Sequence, residues 1–210
     1  MSLEAVFPKV TFGKFVQIDE PSKIRIGIRS YIGESCWIST CFPNTVIVIG
    51  ENALIGRRSV ISASKRLEIG SFCVLSPNVY VSDTNHNYKN ILVPILGQGV
   101  SVREEVVVEE NCWLGINTVI MSSVGRGSVI GANSVVVEEV PPFSMAVGSP
   151  AVVRLMYNPA TNSWDNVCSI ERKNKVIDDR KRIGIPNRKE YVATLRLAEP
   201  ITIGNAAGCR

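Results

Sequence analysis

The chain contains a single histidine, and its neighbours make it the first candidate for chemistry. His86 lies in a polar run that extends from Asp83 to Tyr88. An imidazole titrates near neutral pH, which suits a general base. A lone histidine also excludes every metal site that is built from several histidines. From these residues alone, His86 is either a general base or an exposed loop residue without a role.

A six-residue period runs through the chain on both sides of this loop. A period of six fits the alternation of strands and does not fit a helix of 3.6 residues per turn. Each hexapeptide predicts a short strand and a corner, and three of them, about 18 residues, would close one coil of a parallel β-helix. The aliphatic positions of the repeat are Ile26, Ile32, Ile38, Ile49, Ile55, Ile61, Ile69, Leu75, Val81, Val108, Leu114, Ile120, Val124, Ile130 and Val136.

A small residue stands four positions after most of these aliphatic residues, and we expect both sets to point into the coil. A glycine often follows the aliphatic residue, where it is expected to supply backbone angles that other residues resist. Cysteines at three small positions are expected to be core residues and neither nucleophiles nor disulfide partners. The small positions are Ser30, Cys36, Ala53, Ser59, Cys73, Val79, Cys112, Thr118, Ser128 and Ser134.

Breaks in the period divide the chain into segments. Residues 1–25 precede the first clear repeat and are expected to cap it, and residues 26–153 form the repeat domain. Residues 83–106 leave the period as a loop, which we expect to be functional because a loop of this length adds nothing to a stack of coils. The repeats end at Gly148-Ser149-Pro150-Ala151, and residues 154–210 form a C-terminal extension.

Positive charge is concentrated in the extension. Residues 154–210 hold 11 basic and 6 acidic residues, whereas the first 153 residues hold 12 and 13. A near-neutral body with a basic tail lacks the broad basic face of a nucleic-acid-binding protein. We expect the tail either to favour a polyanionic ligand or to be a solvated, partly ordered appendage that wraps a trimer. Within the tail, residues 175–182 predict a short helix and residues 191–197 a strand.

Composition favours a globular protein with its own core. Apolar residues make up 45% of the chain, yet no uncharged apolar run is long enough to span a bilayer. The N-terminal residues lack the pattern of a signal peptide. These features predict a cytoplasmic protein without membrane insertion.

The combined pattern resembles the hexapeptide-repeat acetyltransferases. The likeness rests on the coils, the loop histidine motif, Cys112-Trp113-Leu114-Gly115 and the closing motif at residues 148–151, and it covers residues 26–155. The nearest members are maltose and galactoside O-acetyltransferases and the enzymes that acetylate surface polysaccharides. The resemblance implies an all-β fold, a left-handed parallel β-helix, assembled as a homotrimer with active sites in grooves between subunits. It further implies acetyl-CoA as co-substrate, a carbohydrate acceptor and no metal.

For the acceptor side of the reaction, the resemblance makes His86 the general base. His86 would remove a proton from the acceptor hydroxyl, which attacks the thioester directly, without an acyl-enzyme. Asp83 and Asn85 flank the histidine and could orient it or bind the acceptor, although loop-turn chemistry explains them as well. Tyr88, at the end of the same run, is a further candidate for acceptor binding.

For the donor side, the resemblance points to four residues. Trp113 matches an aromatic position near the acyl group, and Ile116 and Ala132 match positions whose backbone groups hold the pantetheine arm. The basic residues that family members carry after the last coil are absent here. The coenzyme phosphates must therefore find other partners, and Arg154 or the basic tail could supply them.

Three interpretations of the function stay open at this point. Where galactoside-type enzymes bind their sugar, this chain has Gly56 and Ser64 beside Arg57 and Arg58, so we expect an acceptor other than a simple galactoside. The same fold could instead acetylate an amine of an amino sugar or an antibiotic. A non-enzymatic scaffold or binding protein is the third interpretation. A carbonic anhydrase of this fold is excluded because it needs three zinc-binding histidines.

Overall fold

The computed structural model describes residues 2–103 and 105–198. Its body is a left-handed β-helix of about seven turns, as the sequence predicted. Parallel strands stack from coil to coil into three sheets, which we call faces A, B and C. The turns that join successive faces are the AB, BC and CA corners. None of the helices in the described part of the chain is long and apolar enough to cross a membrane.

Face A is the longest sheet and continues beyond the coils. Its parallel strands are β1 (Thr11–Phe12), β4 (Tyr31–Ile32), β7 (Leu54–Ile55), β10 (Val74–Leu75), β15 (Trp113–Leu114), β17 (Val129–Ile130) and β19 (Ser144–Val147). Two antiparallel strands, β20 (Val152–Asn158) and β21 (Ser163–Asn166), then extend the same sheet.

Faces B and C are shorter. The strands of face B are β2 (Gln17–Ile18), β5 (Trp37–Thr40), β8 (Val60–Ala63), β11 (Tyr80–Ser82), β16 (Val119–Ile120) and β18 (Val135–Val136). Those of face C are β3 (Ile24–Ile26), β6 (Val46–Ile49), β9 (Arg66–Ile69) and β14 (Val106–Val108). In the last coils face C shrinks to single bridges at Val124 and Val140, because the BC corner is shortened there.

The interior is the column that the repeat predicted. Aliphatic residues of successive coils stack on one another, and those from Ile32 to Val136 are fully buried, whereas Ile26 at the start is half-buried. All ten small positions are buried too, including Cys36, Cys73 and Cys112. Burial raises the pKa of the Cys36 and Cys112 thiols, which keeps both neutral. These cysteines are core residues, as expected.

The glycines of the repeat have a different purpose from the one expected. Gly115, like the other glycines that follow the aliphatic positions of the repeat, does not adopt a left-handed backbone angle. A Cβ on Gly115 would lie 2.6 Å from the backbone nitrogen of Ala132 in the next coil. Left-handed angles occur two positions later, at residues such as Asn52, Asn117 and Asn133. Glycine is therefore required at these positions because neighbouring coils approach each other closely, and not because of its backbone angles.

The first coil begins earlier than residue 26. Strands β1, β2 and β3 already pair in parallel with β4, β5 and β6 of the second coil. Most of the segment 1–25 therefore belongs to the first turn of the β-helix. The segment begins with a short helix α1 (Leu3–Val6) and contains a 3-10 turn (Pro21–Lys23). Phe12, Ile18 and Ile24 keep the six-residue spacing, but Phe12 departs from the aliphatic pattern that marks later coils.

The loop at residues 83–106 is an antiparallel arm. Its two strands, β12 (Thr84–His86) and β13 (Val100–Val102), pair with each other, and a 3-10 turn (Ile95–Gln98) lies near its tip. The arm leaves the BC corner of the fourth coil and returns into β14. Apolar side chains at the tip are almost fully exposed, with 93% of Ile91, 87% of Leu92 and 90% of Leu96 in contact with solvent.

The extension folds into the β20–β21 hairpin and two helices. Helix α2 (Ile170–Ile183) is longer than the predicted helix 175–182, and it packs Val176 against Met156 and Val167. The strand expected at residues 191–197 is instead part of helix α3 (Arg188–Leu197). A capping box starts this helix, because Asn187 and Glu190 exchange hydrogen bonds of 2.9 and 3.2 Å. The residues after 198 lie outside the described part of the chain.

Helix α3 lies along the CA corner and is held there by ion pairs with the body. The guanidinium of Arg188 donates to both carboxylate oxygens of Glu110 and also to Glu68. Arg196, two turns later, donates to Glu51 over 2.7 Å. Burial opposes the charge of Arg188, but the two carboxylates outweigh it and raise the pKa of its guanidinium. Helix α3 of the tail is therefore packed against the body of its own chain.

Aromatic contacts fix the same helix. The ring of Tyr191 meets that of Phe143 edge-on at 5.0 Å, and its hydroxyl accepts a hydrogen bond of 2.6 Å from Asn111. Burial raises the pKa of the Tyr191 hydroxyl. Before the helix, the carbonyl of Pro186 accepts hydrogen bonds from Arg126 of the body. The CA corner is consequently covered by helix α3.

Candidate active site

Asp83 anchors the base of the arm and is only 1% exposed. Its carboxylate accepts hydrogen bonds from the backbone N–H groups of Ser64 (2.7 Å), Lys65 (2.8 Å) and Arg66 (3.1 Å). The hydroxyl of Thr84 donates a fourth, at 2.7 Å. Since these donors occupy both oxygens, the carboxylate ties β12 to the preceding coil and does not face solvent.

The rest of the motif stands on the exposed strand β12 and just beyond it. The backbone N–H of His86 donates to the side chain of Asn85 at 3.1 Å, so Asn85 braces the arm locally. No described residue forms a hydrogen bond with the imidazole of His86, which is exposed. Tyr88 is 66% exposed, and its hydroxyl is likewise without a partner among the described residues. His86 and Tyr88 are therefore available to a ligand.

The donor-side candidates line the AB corner and the outer surface of face A. Trp113 is 53% exposed, and its indole N–H donates to the hydroxyl of Ser76 at 3.1 Å, which fixes the ring beside the corner. Ile116 and Ala132 occupy equivalent corner positions in successive coils. No described residue accepts a hydrogen bond from the backbone N–H of either one. These N–H groups could hold the amide carbonyl oxygens of an extended ligand.

A single chain does not bring the two halves of the site together. The arm that carries His86 leaves the body at the BC corner. Ile116 and Ala132 lie at the AB corner, on the other side of face B. Arg154 is exposed on β20, near the end of face A, and its guanidinium contacts the sulphur of Cys168 at 3.8 Å. Trp113 and Arg154 thus share a sheet, while His86 belongs to another part of the surface.

Sequence reasoning missed two features of this region. Ser76 orients Trp113 from the preceding coil, and its position 37 residues away gives no local signal. The burial of Asp83 was missed as well, although a carboxylate just before a strand that leaves a coil is a common way to bind free backbone N–H groups. Among the described residues, no group of three or more histidine, cysteine, aspartate and glutamate side chains could hold a metal ion.

Comparison with known proteins agrees with this architecture. The model of the hexapeptide repeat of succinyl-transferases matches residues 46–83 and 105–138. A probable acetyltransferase of Mycobacterium tuberculosis is 30% identical over 149 residues, which are 69% of this chain and 49% of the relative. A galactoside O-acetyltransferase of Escherichia coli is 31% identical over 130 residues, 58% of this chain and 61% of the relative.

A solved structure shares the fold. AntD, an N-acyltransferase from Bacillus cereus solved with dTDP-4-amino-4,6-dideoxyglucose and coenzyme A, superposes with a TM-score of 0.61. The alignment covers 83% of this chain and 93% of AntD at 18% identity, so it supports the fold alone.

The repeats, the fold and the relatives define a left-handed β-helix of the hexapeptide type. In its repeats and its fold the chain is similar to the hexapeptide-repeat acetyltransferases. It spans about half of the length of the mycobacterial relative and less than two thirds of the galactoside enzyme. Activity, substrate and assembly are therefore matters of proposal.

Proposed function

We propose that the protein transfers an acetyl group from acetyl-CoA to a hydroxyl of a sugar or polysaccharide. The observation that carries this proposal is the exposed His86, presented on an arm whose base is locked by the buried Asp83. Asp83 fixes the base of the arm to the preceding coil, and the imidazole of His86 is left without a partner among the described residues. The relatives named as galactoside O-acetyltransferases support a sugar hydroxyl as the acceptor.

In the proposed reaction, the neutral imidazole of His86 accepts the proton of the acceptor hydroxyl. The hydroxyl oxygen attacks the thioester carbonyl, the carbon–sulphur bond breaks, and the imidazolium returns its proton to the departing thiolate. A backbone N–H would stabilise the oxyanion that forms at the carbonyl. Trp113 would border the acyl group, and the N–H groups of Ile116 and Ala132 would hold the pantetheine arm. The family's mechanism needs no acyl-enzyme, and the three core cysteines are buried.

The proposal includes a homotrimer, because the groups of one chain lie at different corners. The arm of one subunit would bring His86 to the AB corner of its neighbour. Two observations support such a contact. The apolar tip of the arm is exposed, and an apolar row lies on the outer surface of face B. That row consists of Trp37, Val60, Tyr80, Val119 and Val135.

The roles of the remaining loop residues follow from their exposure. Tyr88 is proposed to contact the acceptor, since its hydroxyl is free of partners among the described residues. Asn85 is proposed to hold His86 in place and to reach the acceptor with its amide. Asp83 is proposed to position the arm. Arg57 and Arg58 are exposed at the AB corner, two coils before Ile116, which suits an acceptor other than a neutral galactoside.

The experiment that tests the function combines an acceptor panel with a histidine variant. Purified protein is incubated with acetyl-CoA and sugars, oligosaccharides or amino sugars, and release of free thiol is followed. We expect turnover with a hydroxyl acceptor and a fall of about 10²–10⁴ in turnover for His86→Ala. Tyr88→Phe is the comparison in the same arm: it removes a hydroxyl proposed to contact the acceptor, so it should raise the KM for the acceptor and leave kcat nearly unchanged, because the general base is kept. Turnover with amines only would favour N-acetylation, and near-normal turnover of His86→Ala would overturn the assignment of the base.

A further inference from the structure

A cavity of 330 Å³ lies between the outer edge of β21 and helix α2, away from the arm. Its volume is at the lower end of the range for small-molecule sites. It combines an aromatic ring with two cations. The lining residues are Trp164, Asp165, Asn166, Arg172, Lys175 and Val176.

The two cations of the cavity are available to a ligand. Arg172 and Lys175 are exposed and three residues apart, so they lie on the same side of α2. Neither side chain forms a direct hydrogen bond or ion pair with a described residue, in contrast to Arg188 and Arg196 of α3. The charge of Lys175 does act on Asp165 and Asp179, so Arg172 is the less compensated of the two. The basic tail thus has two parts, one that is neutralised by the body and one that faces the cavity.

The carboxylate in the cavity wall, that of Asp165, already accepts hydrogen bonds from neighbouring side chains. Asp165 accepts hydrogen bonds from Ser163 (2.7 Å), Asn158 (2.8 Å) and Thr161 (3.2 Å) within its own hairpin. Its oxygens are therefore engaged by the hairpin, although its charge also attracts Lys175. With one carboxylate against two cations, the lining keeps an excess of positive charge. The indole of Trp164 is 41% exposed beside these cations. An aromatic face next to two cations suits a planar base that carries phosphate groups.

Face A connects this cavity directly with the proposed acyl site. Directly paired residues place one row across five neighbouring strands, and paired residues in a sheet share a face. The row consists of Trp113, Val129, Met145, Leu155 and Asn166. It begins beside the acyl position and ends at a residue of the cavity wall.

The length of this row can be compared with that of the donor. Four strand spacings of about 4.8 Å separate Trp113 from Asn166, which makes about 19 Å. The pantetheine arm of coenzyme A, with two amide units in an extended chain, reaches about 15 Å from the sulphur to the first phosphate. A donor whose thioester lies beside Trp113 would therefore bring its phosphates to the end of face A, where the cavity opens.

We propose that the cavity between β21 and α2 binds the 3′-phospho-ADP end of coenzyme A. Trp164 stacks on the adenine, and Arg172 and Lys175 hold the phosphates. This site replaces the basic residues that are missing after the last coil. The inference rests on the proposed function for its choice of ligand, but the binding of the nucleotide can be measured without any acetyl transfer.

The test measures binding to the full chain by calorimetry, with 3′,5′-ADP, coenzyme A and pantetheine as separate ligands. Arg172→Glu should weaken binding of 3′,5′-ADP and of coenzyme A about tenfold or more, and Trp164→Ala should do so by about tenfold. Binding of pantetheine should not change. Lys173→Glu is the matched control, because it makes the same charge change one residue away, outside the cavity. Circular dichroism checks that each variant is folded.

Equal affinity of Arg172→Glu and Lys173→Glu for 3′,5′-ADP would overturn the inference, and so would unchanged affinity of Trp164→Ala. Failure of the proposed function has a different signature. A parent protein that binds 3′,5′-ADP in the cavity but transfers no acetyl group would support the nucleotide site and contradict the transferase. A parent protein that transfers acetyl groups with unchanged kinetics in all three variants would support the transferase and overturn the site.

Discussion

The guanidinium of Arg188 on helix α3 donates to both carboxylate oxygens of Glu110, at 2.9 and 3.0 Å, across 78 residues of sequence. Glu110 lies at the CA corner of the fourth coil and is 7% exposed. The same guanidinium reaches Glu68 on face C. One side chain of the tail therefore joins two positions of the coil stack.

Arg188→Ala is expected to destabilise the protein because it leaves the buried carboxylate of Glu110 without its partner. Loss of such a pair typically costs about 1–3 kcal/mol, and the partial exposure of Arg188 favours the lower half of that range. Urea unfolding measures the effect. Arg196→Ala, which removes a more exposed pair with Glu51, is the control and should change the free energy of unfolding by less than about 1 kcal/mol. Equal effects of both variants would show that burial of Glu110 is unimportant.

Asp83→Asn should loosen the arm and not the acceptor site. An amide has one acceptor oxygen in place of two, so at least one backbone N–H of residues 64–66 loses its partner, at a cost of about 1–3 kcal/mol. We expect a lower melting temperature together with a lower kcat, since His86 is no longer held in place. A variant of normal stability with a raised KM for the acceptor alone would instead indicate direct substrate contact. Tyr88→Phe, on the exposed part of the arm, should keep the parental melting temperature.

Light scattering should give a mass about three times the 23.0 kDa of the chain, as a closed ring of three copies requires. Tyr80→Glu places a charge in the apolar row of face B and should shift the protein toward monomers with little activity. Tyr80→Phe keeps the apolar contact and should stay trimeric. A monomeric parent that turns over at the full rate would contradict a site shared between subunits.

The β20–β21 hairpin should loosen in acid. Hydrogen bonds from Ser163 and then Asn158 lower the pKa of Asp165 below its ordinary value. A lowered pKa means that the stabilisation is complete above the ordinary value of about 3.9 and is lost as the pH falls through the lowered one. Fluorescence of Trp164 on the same hairpin should report this change below about pH 3.9.

Asp165→Asn should remove the acid transition of the hairpin, because its side chain no longer titrates. Asp178→Asn, on the exposed side of α2, is the matched control and should preserve it. An identical transition in Asp165→Asn would assign the acid sensitivity to another group, such as Asp179, whose pKa is lowered by Arg182 and Asn158.

The repeat could be predicted from the sequence because its cause is local. The sequence of each hexapeptide is enough to predict one strand and one corner. The aliphatic residue and the small residue recur at the same distance in every coil. Such a pattern places Ile32 and Cys36 in the core without knowledge of any distant residue, and both are buried. The candidate base was equally visible, since a loop that breaks a strict period holds the only histidine.

What the tertiary structure decided depends on residues that are far apart in the chain. The segment around Tyr191 alternates like a strand, but Asn187 caps it as a helix, and Arg188 pairs with Glu68 across 120 residues. Asp83 is a charged residue in a polar run, so the sequence gives no reason to expect it to be buried. In the structure it is buried because three backbone N–H groups of a neighbouring coil donate to its carboxylate. The repeat period specifies the stack one unit at a time. The position of helix α3 and the role of the buried Asp83 depend on contacts between distant residues. Those contacts exist only when the coils are stacked.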